Sequence, residues 1–287
     1  MLVLETKDLT YTYGEGTPFE KTAVDHVNIG VKKGEFLGVI GHTGSGKSTL
    51  IQTLNGLLRP TGGTVLLNGK NIWAEPKKIR SVRFQVGMVF QYPEHQLFEE
   101  TVLKDICFGP GNMGLSQPEA EARARRAAAF VGLPEEMLQQ SPFELSGGQK
   151  RRAAIAGVIA MDPDVLILDE PTAGLDPRGR DMLLSQISDY RKKRGNTVIL
   201  VSHSMEDIAS YADRVLVMNG GKAVMLDSTA NVFTRGRELE AMGLRVPQIT
   251  SILLALKEKG YPVTPVLTVD EAVAELRPLL KKGGGRP

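Results

Sequence analysis

The chain has 287 residues, of which 41% are hydrophobic and 24% charged, so we expect a folded protein of one or two domains and exclude disorder for most of its length. Its 35 Lys and Arg residues nearly balance its 33 Asp and Glu residues, which argues against a protein whose main work is to coat nucleic acid. The single cysteine excludes an internal disulfide, and the longest near-apolar run, residues 153–161, is far shorter than the ~18 residues of a membrane span. If the chain serves a membrane process, we expect another chain to cross the membrane.

The N-terminal part predicts mainly strands around one glycine-rich loop. The predicted strands are residues 22–31, 36–40, 64–67 and 86–90. Asn68-Gly69 follows the third strand and is a strong hairpin signal. The loop is followed by leucines at helical spacing, which predict a helix that includes Leu50, Leu54, Leu57 and Leu58.

Residues 100–160 change character and predict helices, after which strands and helices alternate. The predicted helices are residues 118–131, 147–160, 180–193 and 205–211, the predicted strands are 165–168 and 197–201, and residues 214–226 predict a hairpin. Such alternation is typical of an α/β fold with a mostly parallel sheet covered on both faces. The helical stretch in the middle is interpreted as an inserted subdomain.

The last forty or so residues predict a small helical appendix. Ile249, Ile252, Leu253 and Leu256 have the spacing of an amphipathic helix. A capping-box pattern at 268–271 opens a second helix, which Pro278 should kink or end, and a frayed tail is expected from residue 281. We therefore divide the chain into residues 1–235 and an appendix of residues 236–287.

Residues 41–48, Gly-His-Thr-Gly-Ser-Gly-Lys-Ser, match the phosphate-binding loop pattern between an apolar strand and a helix. The alternative is a chance match in a glycine-rich turn. Glycines let backbone N–H groups surround phosphates, and the following helix directs its positive end at them. Lys47 is predicted to reach the β- and γ-phosphates and Ser48 to bind Mg²⁺.

Asp169 and Glu170 end the apolar strand that begins at Val165. Asp169 is placed to hold Mg²⁺, and Glu170 to orient or deprotonate the attacking water. Alone, the two carboxylates would be equally consistent with an ordinary acidic strand end. Their position downstream of a phosphate-binding loop favours the catalytic interpretation.

A second anion site is predicted just before the helix at residue 147. A plain capped turn is the alternative. A Ser-Gly-Gly sequence there exposes N–H groups and a hydroxyl at a positive helix end. Because one ATP needs only one phosphate loop, this second site suggests a head-to-tail dimer with two ATP molecules at its interface. We call these residues the signature segment, and they are Leu145, Ser146, Gly147, Gly148 and Gln149.

These motifs resemble the ATP-binding cassette (ABC) family over residues 3–230, which implies a P-loop NTPase core with an antiparallel β subdomain. The resemblance extends to Gln91 (the Q-loop glutamine), residues 173–176 with Asp176 (the D-loop) and His203 (the switch histidine). It implies that Gln91 links the Mg²⁺ site to a membrane partner and that His203 contacts the γ-phosphate. Tyr13 is the predicted adenine-stacking residue, with Tyr11 as its competitor. The residues predicted to bind ATP are Tyr13, Gly41, His42, Thr43, Gly44, Ser45, Gly46, Lys47, Ser48 and Thr49; Mg²⁺ is assigned to Ser48, Gln91 and Asp169, and catalysis to Lys47, Gln91, Glu170 and His203.

A narrower resemblance, to the ATPase subunits of energy-coupling factor transporters, lies after Gln91. Its alternative is a variable Q-loop of any importer. The residues that this resemblance assigns to contact with a membrane T subunit are Tyr92, Pro93, Glu94, His95, Gln96, Leu97 and Phe98. The long loop at residues 14–20 and the appendix resemble the second ATPase of a heterodimeric pair.

The resemblance implies an ATPase that powers uptake of a vitamin or transition-metal micronutrient. Its implied partners are a second, paralogous ATPase, the T subunit and a substrate-binding S subunit, and its implied location is the cytoplasmic face of the cell membrane. The competing functions are another importer class and a non-transport ABC ATPase acting on DNA or ribosomes. Tandem cassettes, a coiled-coil insertion or a basic tail would favour the latter, and the sequence has none of them.

Overall fold

The computed structural model describes residues 1–282, and side chains up to residue 279. The strands are β1 (Leu2–Tyr13), β2 (Lys21–Val27), β3 (Gly30–Lys32), β4 (Phe36–Ile40), β5 (Gly62–Leu67), β6 (Lys70–Asn71), β7 (Val86–Val89), β8 (Val165–Asp169), β9 (Thr197–Val201), β10 (Arg214–Asn219) and β11 (Lys222–Ser228). The α-helices are α1 (Lys47–Leu54), α2 (Ile79–Gln85), α3 (Val102–Asn112), α4 (Gln117–Phe130), α5 (Gly147–Ile159), α6 (Pro177–Arg194), α7 (Met205–Tyr211), α8 (Thr229–Phe233), α9 (Gly236–Ala241), α10 (Gln248–Glu258) and α11 (Val269–Lys282). Among these helices, none is both long and apolar enough to cross a membrane.

A six-stranded sheet forms the centre of the fold, in the order β11-β10-β4-β9-β8-β7. The strands from β10 to β7 pair in parallel, and β11 adds an antiparallel edge through the predicted hairpin. Every residue of β4, β8 and β9 is buried, as expected for a parallel sheet covered on both faces. The predicted α/β fold with a mostly parallel sheet is confirmed.

The residues of these strands alternate between two separate hydrophobic cores. Phe36 and Ile40 of β4 join the core on one face, whereas Leu37 and Val39 join the core on the other. This division follows from the two-residue period of a strand, which directs successive side chains to opposite faces. The helices on the two faces therefore bury independent sets of side chains on one sheet.

A smaller antiparallel sheet, in the order β2-β1-β5-β6 with β3 beside β1, forms the predicted β subdomain. The hairpin between β5 and β6 turns at Asn68 and Gly69, both with positive φ (50° and 78°), which is the geometry that the Asn-Gly pair favours. The single strand predicted over residues 22–31 is in fact two, because β2 ends at Val27 and β3 begins at Gly30.

The inserted helical subdomain contains α3, α4 and α5, which pack on one another. Ser116 and Glu119 form a capping box at the start of α4, and Ser146 and Gln149 form another at the start of α5. Helix α3 was not predicted because its last turn contains Gly109, Pro110 and Gly111, which ordinarily interrupt helices.

One predicted helix boundary is wrong, and of the two outcomes predicted at Pro278 the helix end does not occur. Helix α1 ends at Leu54, so Leu57 and Leu58 lie beyond it; Gly56, with φ of 72°, stops the helix. Helix α11 continues through Pro278 to Lys282, because Leu276 and Leu279 pack against the cluster around Leu253 and hold the helix together. Lys281 and Lys282 are therefore helical, and the remainder of the predicted frayed tail lies outside the described residues.

The appendix is divided between two sets of packing contacts. Leu239, Leu244 and Val246 are buried in the core of the main fold. Leu253 of α10, Val263 and Ala272 of α11 form a separate small cluster. The boundary at residue 236 stays a prediction, and the independent packing begins only with α10.

We expect Ile199→Ala in β9 to lower the free energy of unfolding by about 2–5 kcal/mol, because Ile199 is fully buried in the sheet. Ile252→Ala in α10 is the matched control: Ile252 is 47% exposed, so its change should stay within about 0.5 kcal/mol. Urea unfolding of both variants measures the difference. Equal losses in the two variants would contradict the position of the core.

Candidate nucleotide site

One edge of the parallel sheet collects the predicted catalytic residues. Strands β4, β8 and β9 are neighbours, and their carboxyl ends lead into residues 41–48, into Asp169-Glu170 and into residues 202–203 respectively. A cleft of about 380 Å³ opens along this edge. Its lining residues are Tyr13, Lys21, Ala23, Thr43, Gly44, Gly46, Lys47, Ser48, Thr49, Gln91, Asp169, Glu170, Val201 and His203.

The loop of residues 41–48 is shaped by glycines and held by Lys47. Gly44 and Gly46 have φ of 81° and 99°, a region that favours glycine. The Lys47 ammonium donates hydrogen bonds to the carbonyl oxygens of Gly41 (2.7 Å) and His42 (3.1 Å). Ser45 is fully buried, and its Oγ has no hydrogen-bond partner among the described residues. Five residues of this loop line the cleft at the start of α1, namely Thr43, Gly44, Gly46, Lys47 and Ser48.

Charged side chains meet beside this loop in a largely desolvated place. Burial lowers the pKa of Lys47, while the nearby carboxylates of Glu170 and Asp169 act in the opposite direction. Burial raises the pKa of Asp169, which a hydrogen bond from Ser48 and the charge of Lys47 partly offset. The Ser48 hydroxyl and the Asp169 carboxylate are oxygen donors of the kind that Mg²⁺ prefers, and Gln91 lines the same cleft. The chemistry of these donors fits the predicted Mg²⁺ site.

Glu170 has an unusual backbone and an unusual carboxyl group. Its φ of 51° is left-handed, a conformation that non-glycine residues adopt mainly where the surrounding structure enforces it. Burial raises the pKa of the Glu170 carboxyl to about 7, although the hydrogen bond from the His203 backbone acts to lower this pKa. No described residue donates a hydrogen bond to its Oε1, although His203 Nε2 lies 3.5 Å away. The carboxylate of Glu170, a residue that lines the cleft, therefore retains an acceptor without a partner among the described residues.

His203 complements Glu170 from the end of β9. Its backbone N–H donates to Glu170 Oε2 over 3.4 Å. Burial and the nearby charge of Lys47 lower the pKa of His203, which favours the neutral form of its ring. A neutral imidazole has both a donor and an acceptor nitrogen for groups bound in the cleft.

The structure distinguishes between the two tyrosines that alternation leaves equivalent. Tyr13 lines the cleft, is 42% exposed, and its hydroxyl lies 3.2 Å from Thr49 Oγ1. Tyr11 packs against the core of the β subdomain, and its ring meets that of Tyr13 edge to face with the ring centroids 4.8 Å apart. Of the two rings, Tyr13 is the one available to a ligand.

The signature segment lies apart from this cleft. Its Ser146 caps α5 and Gln149 completes the capping box, while the side chain of Leu145 is buried in the core. None of these residues appears among the described residues that line the cleft. Asp176 similarly caps α6, accepting from Gly179 N–H over 2.7 Å. The exposed residues among them, Ser146, Gly147 and Asp176, therefore lie on surface outside the described lining of the chain's own cleft.

The seven residues predicted to contact a T subunit do not share one environment. Tyr92, His95, Gln96 and Phe98 are exposed, Leu97 is half-buried and Pro93 is buried. Phe98 makes an edge-to-face contact with Phe108 over 5.0 Å on a groove that α3 and α5 also line. Glu94 differs from the others because it is turned inward and forms an ion pair with Arg151 of α5.

Sequence reasoning missed several residues of the site. Lys21, Ala23 and Val201 line the cleft. Arg151 lies outside the lining and hydrogen-bonds to Glu94 and to the Pro171 carbonyl oxygen, next to Glu170. Arg151 stands in the basic run of residues 150–152, where nothing in the sequence distinguishes it from a solvated helix face. Lys21 and Ala23 lie in the first part of β2, where Lys21 pairs with Tyr13 and the Ala23 carbonyl oxygen lies close to Gly46 of the loop.

Substitution of two loop glycines tests the described geometry. We expect Gly44→Ala to destabilise the protein by about 1–2 kcal/mol, the cost of its left-handed backbone, since a Cβ there meets no atom within 4 Å. Gly46→Ala should cost clearly more, because a Cβ at Gly46 would lie 2.1 Å from the Ala23 carbonyl oxygen. Thermal unfolding of both variants measures this order. The reverse order would show that the loop does not approach β2 as described.

The chain resembles known proteins over nearly its whole length. Residues 24–173 match the family model described as "ABC transporter". The chain is 53% identical to the energy-coupling factor transporter ATP-binding protein EcfA2 of Clostridium tetani, over 95% of this chain and 96% of that protein. It is 49% identical to the protein of the same name from Listeria monocytogenes, over 98% and 99% of the two chains.

Solved structures give the same result for the fold. The structure described as cbiO1 from Clostridium perfringens, part of the ABC transporter complex cbiONQ, matches with a TM-score of 0.75 at 36% identity, over 90% of this chain and 99% of that one. The cassette MJ0796, described as a dimer in a post-hydrolysis state bound to ADP and Pi, matches with a TM-score of 0.71 at 27% identity, over 79% and 98%. The P-loop NTPase core is thereby confirmed. With the cleft at the sheet edge, these similarities show that the chain belongs to the ABC transporter family and, within it, to the energy-coupling factor transporter ATP-binding proteins.

Proposed function

We propose that this chain hydrolyses ATP to power an energy-coupling factor importer that takes up a vitamin or a transition-metal micronutrient. The observation that carries the proposal is that all four predicted catalytic residues line one cleft at the edge of the sheet together with Asp169, the predicted Mg²⁺ ligand; the four are Lys47, Gln91, Glu170 and His203. A nucleotide-binding module without hydrolysis would need neither Glu170 nor His203 in place. The names of the relatives support the assignment to a transporter.

The phosphates of ATP would lie against the loop of residues 41–48, of which Thr43, Gly44, Gly46, Lys47 and Ser48 line the cleft. Lys47 would exchange its bonds to the loop carbonyls for the β- and γ-phosphates, a stronger, charge-assisted interaction. The adenine would stack on Tyr13. Mg²⁺, held by Ser48, Asp169 and Gln91, would supply positive charge that stabilises the transferring phosphoryl group.

Glu170 would act on the attacking water. Its unused Oε1 can accept a hydrogen bond from that water, and its raised pKa matches the requirement of a general base near neutral pH. His203, whose Nε2 lies 3.5 Å from Glu170 Oε1, would donate a hydrogen bond to the γ-phosphate. It would also hold the attacking water in line with the bond that breaks. Positioning and charge stabilisation then account for most of the catalysis.

Completion of the site requires a second ATPase, which we propose to be a paralogue. The signature segment of each chain would cover the nucleotide of the other, because here it lies outside the lining of its own cleft. The exposed Gly147 and the half-buried Gly148 at the start of α5 would then direct N–H groups at the partner's γ-phosphate.

The exposed side chains of residues 92–98 would contact a membrane T subunit, to which a substrate-binding S subunit is joined. Tyr92 and Phe98, at 47% and 58% exposure, are large apolar side chains on this surface. Aromatic groups of this kind are enriched at protein interfaces. The chain would accordingly work as a peripheral protein at the cytoplasmic face of the cell membrane, without contact to nucleic acid.

We predict that Glu170→Gln lowers kcat for ATP hydrolysis at least about 100-fold, because the amide cannot accept the proton of the attacking water. ATP binding should be retained, since the loop of residues 41–48 is unchanged. Phosphate release and nucleotide binding are measured on the chain purified with its partners. Glu136→Gln, an exposed and distant change of the same kind, is the control. Hydrolysis by Glu170→Gln at the control rate would contradict the assigned role.

We predict that Tyr92→Asp together with Phe98→Asp prevents co-purification with the T subunit, because buried carboxylates would replace apolar contacts. Nucleotide binding by the isolated chain should not change. Phe19→Asp is the matched control, since Phe19 is 88% exposed and lies in the N-terminal loop. Co-expression and affinity purification measure the association. Retained association in the double variant would place the membrane contact elsewhere.

A further inference from the structure

Arg151 is a buried cation at the place where three functional segments meet. It lies in the first turns of α5, two residues after the signature segment, and is 4% exposed. A fully buried arginine is costly unless its charge and its N–H donors are satisfied. The identity of its partners therefore indicates what this position does.

One side of the Arg151 guanidinium holds the segment predicted to face the membrane. Nε donates to Glu94 Oε2 over 3.1 Å, and a terminal nitrogen donates to Glu94 Oε1 over 2.6 Å. This two-pronged geometry fixes the orientation of both groups. The Glu94 side chain is only 14% exposed. Burial alone would raise the pKa of Glu94, but the hydrogen bond and the charge of Arg151 outweigh burial and hold this pKa below its usual range.

The other side of the guanidinium holds the backbone that directly follows Glu170. Its second terminal nitrogen donates to the carbonyl oxygens of Pro171 (3.4 Å) and Ala173. Arg151 thus connects the helix that carries the signature segment, the segment at Glu94 and the chain next to the catalytic carboxylate. A planar guanidinium can hold all three only in one relative arrangement.

We propose that Arg151 is a positioning residue that couples the nucleotide site to residues 92–98, an inference that rests on the proposed ATPase function. Displacement of Glu94 by a membrane partner would pull the guanidinium away from Pro171 and Ala173 and so disturb Glu170. Conversely, closure of the nucleotide site would move Glu94. Such coupling is reciprocal, because each site alters the other's equilibrium by the same factor.

A plain stabilising ion pair is the competing explanation, and it predicts loss of stability without loss of communication. Arg152 provides a matched control on the same helix. It is half-buried and contacts Met182 Sδ over 3.1 Å, away from Glu94 and residues 171–173. Arg152→Met therefore removes an equal charge from α5 and leaves the three-way connection intact.

Hydrogen exchange of the full-length chain, with and without Mg-ATP, tests the proposal. In the wild type, we expect ATP to slow amide exchange of residues 92–98 roughly fivefold or more, within the usual range of coupling between sites. Arg151→Met should bind ATP within about threefold of the wild-type affinity and show no change in that segment, whereas Arg152→Met should respond like the wild type. Arg151→Lys keeps the positive charge but cannot make the two-pronged contact of the guanidinium. It should also lose the ATP-dependent change in residues 92–98, which keeps the test valid even if Arg151→Met fails to fold.

The possible results separate the two claims. A wild-type chain that binds ATP without any change in residues 92–98 would overturn the coupling role and leave the ATPase intact. An undiminished ATP response in Arg151→Lys would also overturn it. A wild-type chain that fails to bind ATP would overturn the proposed function, and the coupling role with it.

Discussion

The parallel pairing of β4, β8 and β9 is the constraint on which the site depends. Parallel neighbours end at the same edge of a sheet, so the loop after β4, the carboxylates at the end of β8 and His203 after β9 are brought together from distant parts of the sequence. The two cores on the faces of the sheet fix this edge rigidly. The cleft that we propose to bind phosphate, and the position of the Glu170 carboxylate beside it, follow from that arrangement.

Desolvation at this edge gives the residues their chemistry. Burial lowers the pKa of Lys47 and raises those of Asp169 and Glu170, and the attraction between Lys47 and the two carboxylates only partly offsets this effect, while Asp169 raises the pKa of Glu170 further. We propose that the ligand of this site is a nucleotide phosphate together with a divalent cation. The signature segment is not among the described residues that line the cleft. In our proposal, a second cassette supplies that segment to the site.

The sequence was most informative where the chemistry is local. The placement of Lys47, Asp169 and Glu170 at one edge of the sheet could be predicted because the loop and the two carboxylates each follow an apolar strand directly, and their roles stay predictions. Long-range contacts could not be predicted from the sequence. Glu94 and Arg151, for example, are 57 positions apart, and only the fold brings them together. Alternation placed Tyr11 and Tyr13 on one strand face, so their different surroundings appear only in the structure. At Pro278, tertiary packing outweighed local helix propensity, and the appendix boundary stays a prediction.

The most direct test of the central claim is native mass spectrometry of the Glu170→Gln chain purified from membranes with Mg-ATP. We expect one assembly that contains this chain, a distinct second ATPase, a multi-span membrane protein, a small membrane protein and two ATP molecules. The Glu170→Gln change should preserve the closed state because ATP is bound but not hydrolysed. Recovery of the chain alone, or with ribosomal or DNA-repair proteins, would contradict its assignment to a transporter.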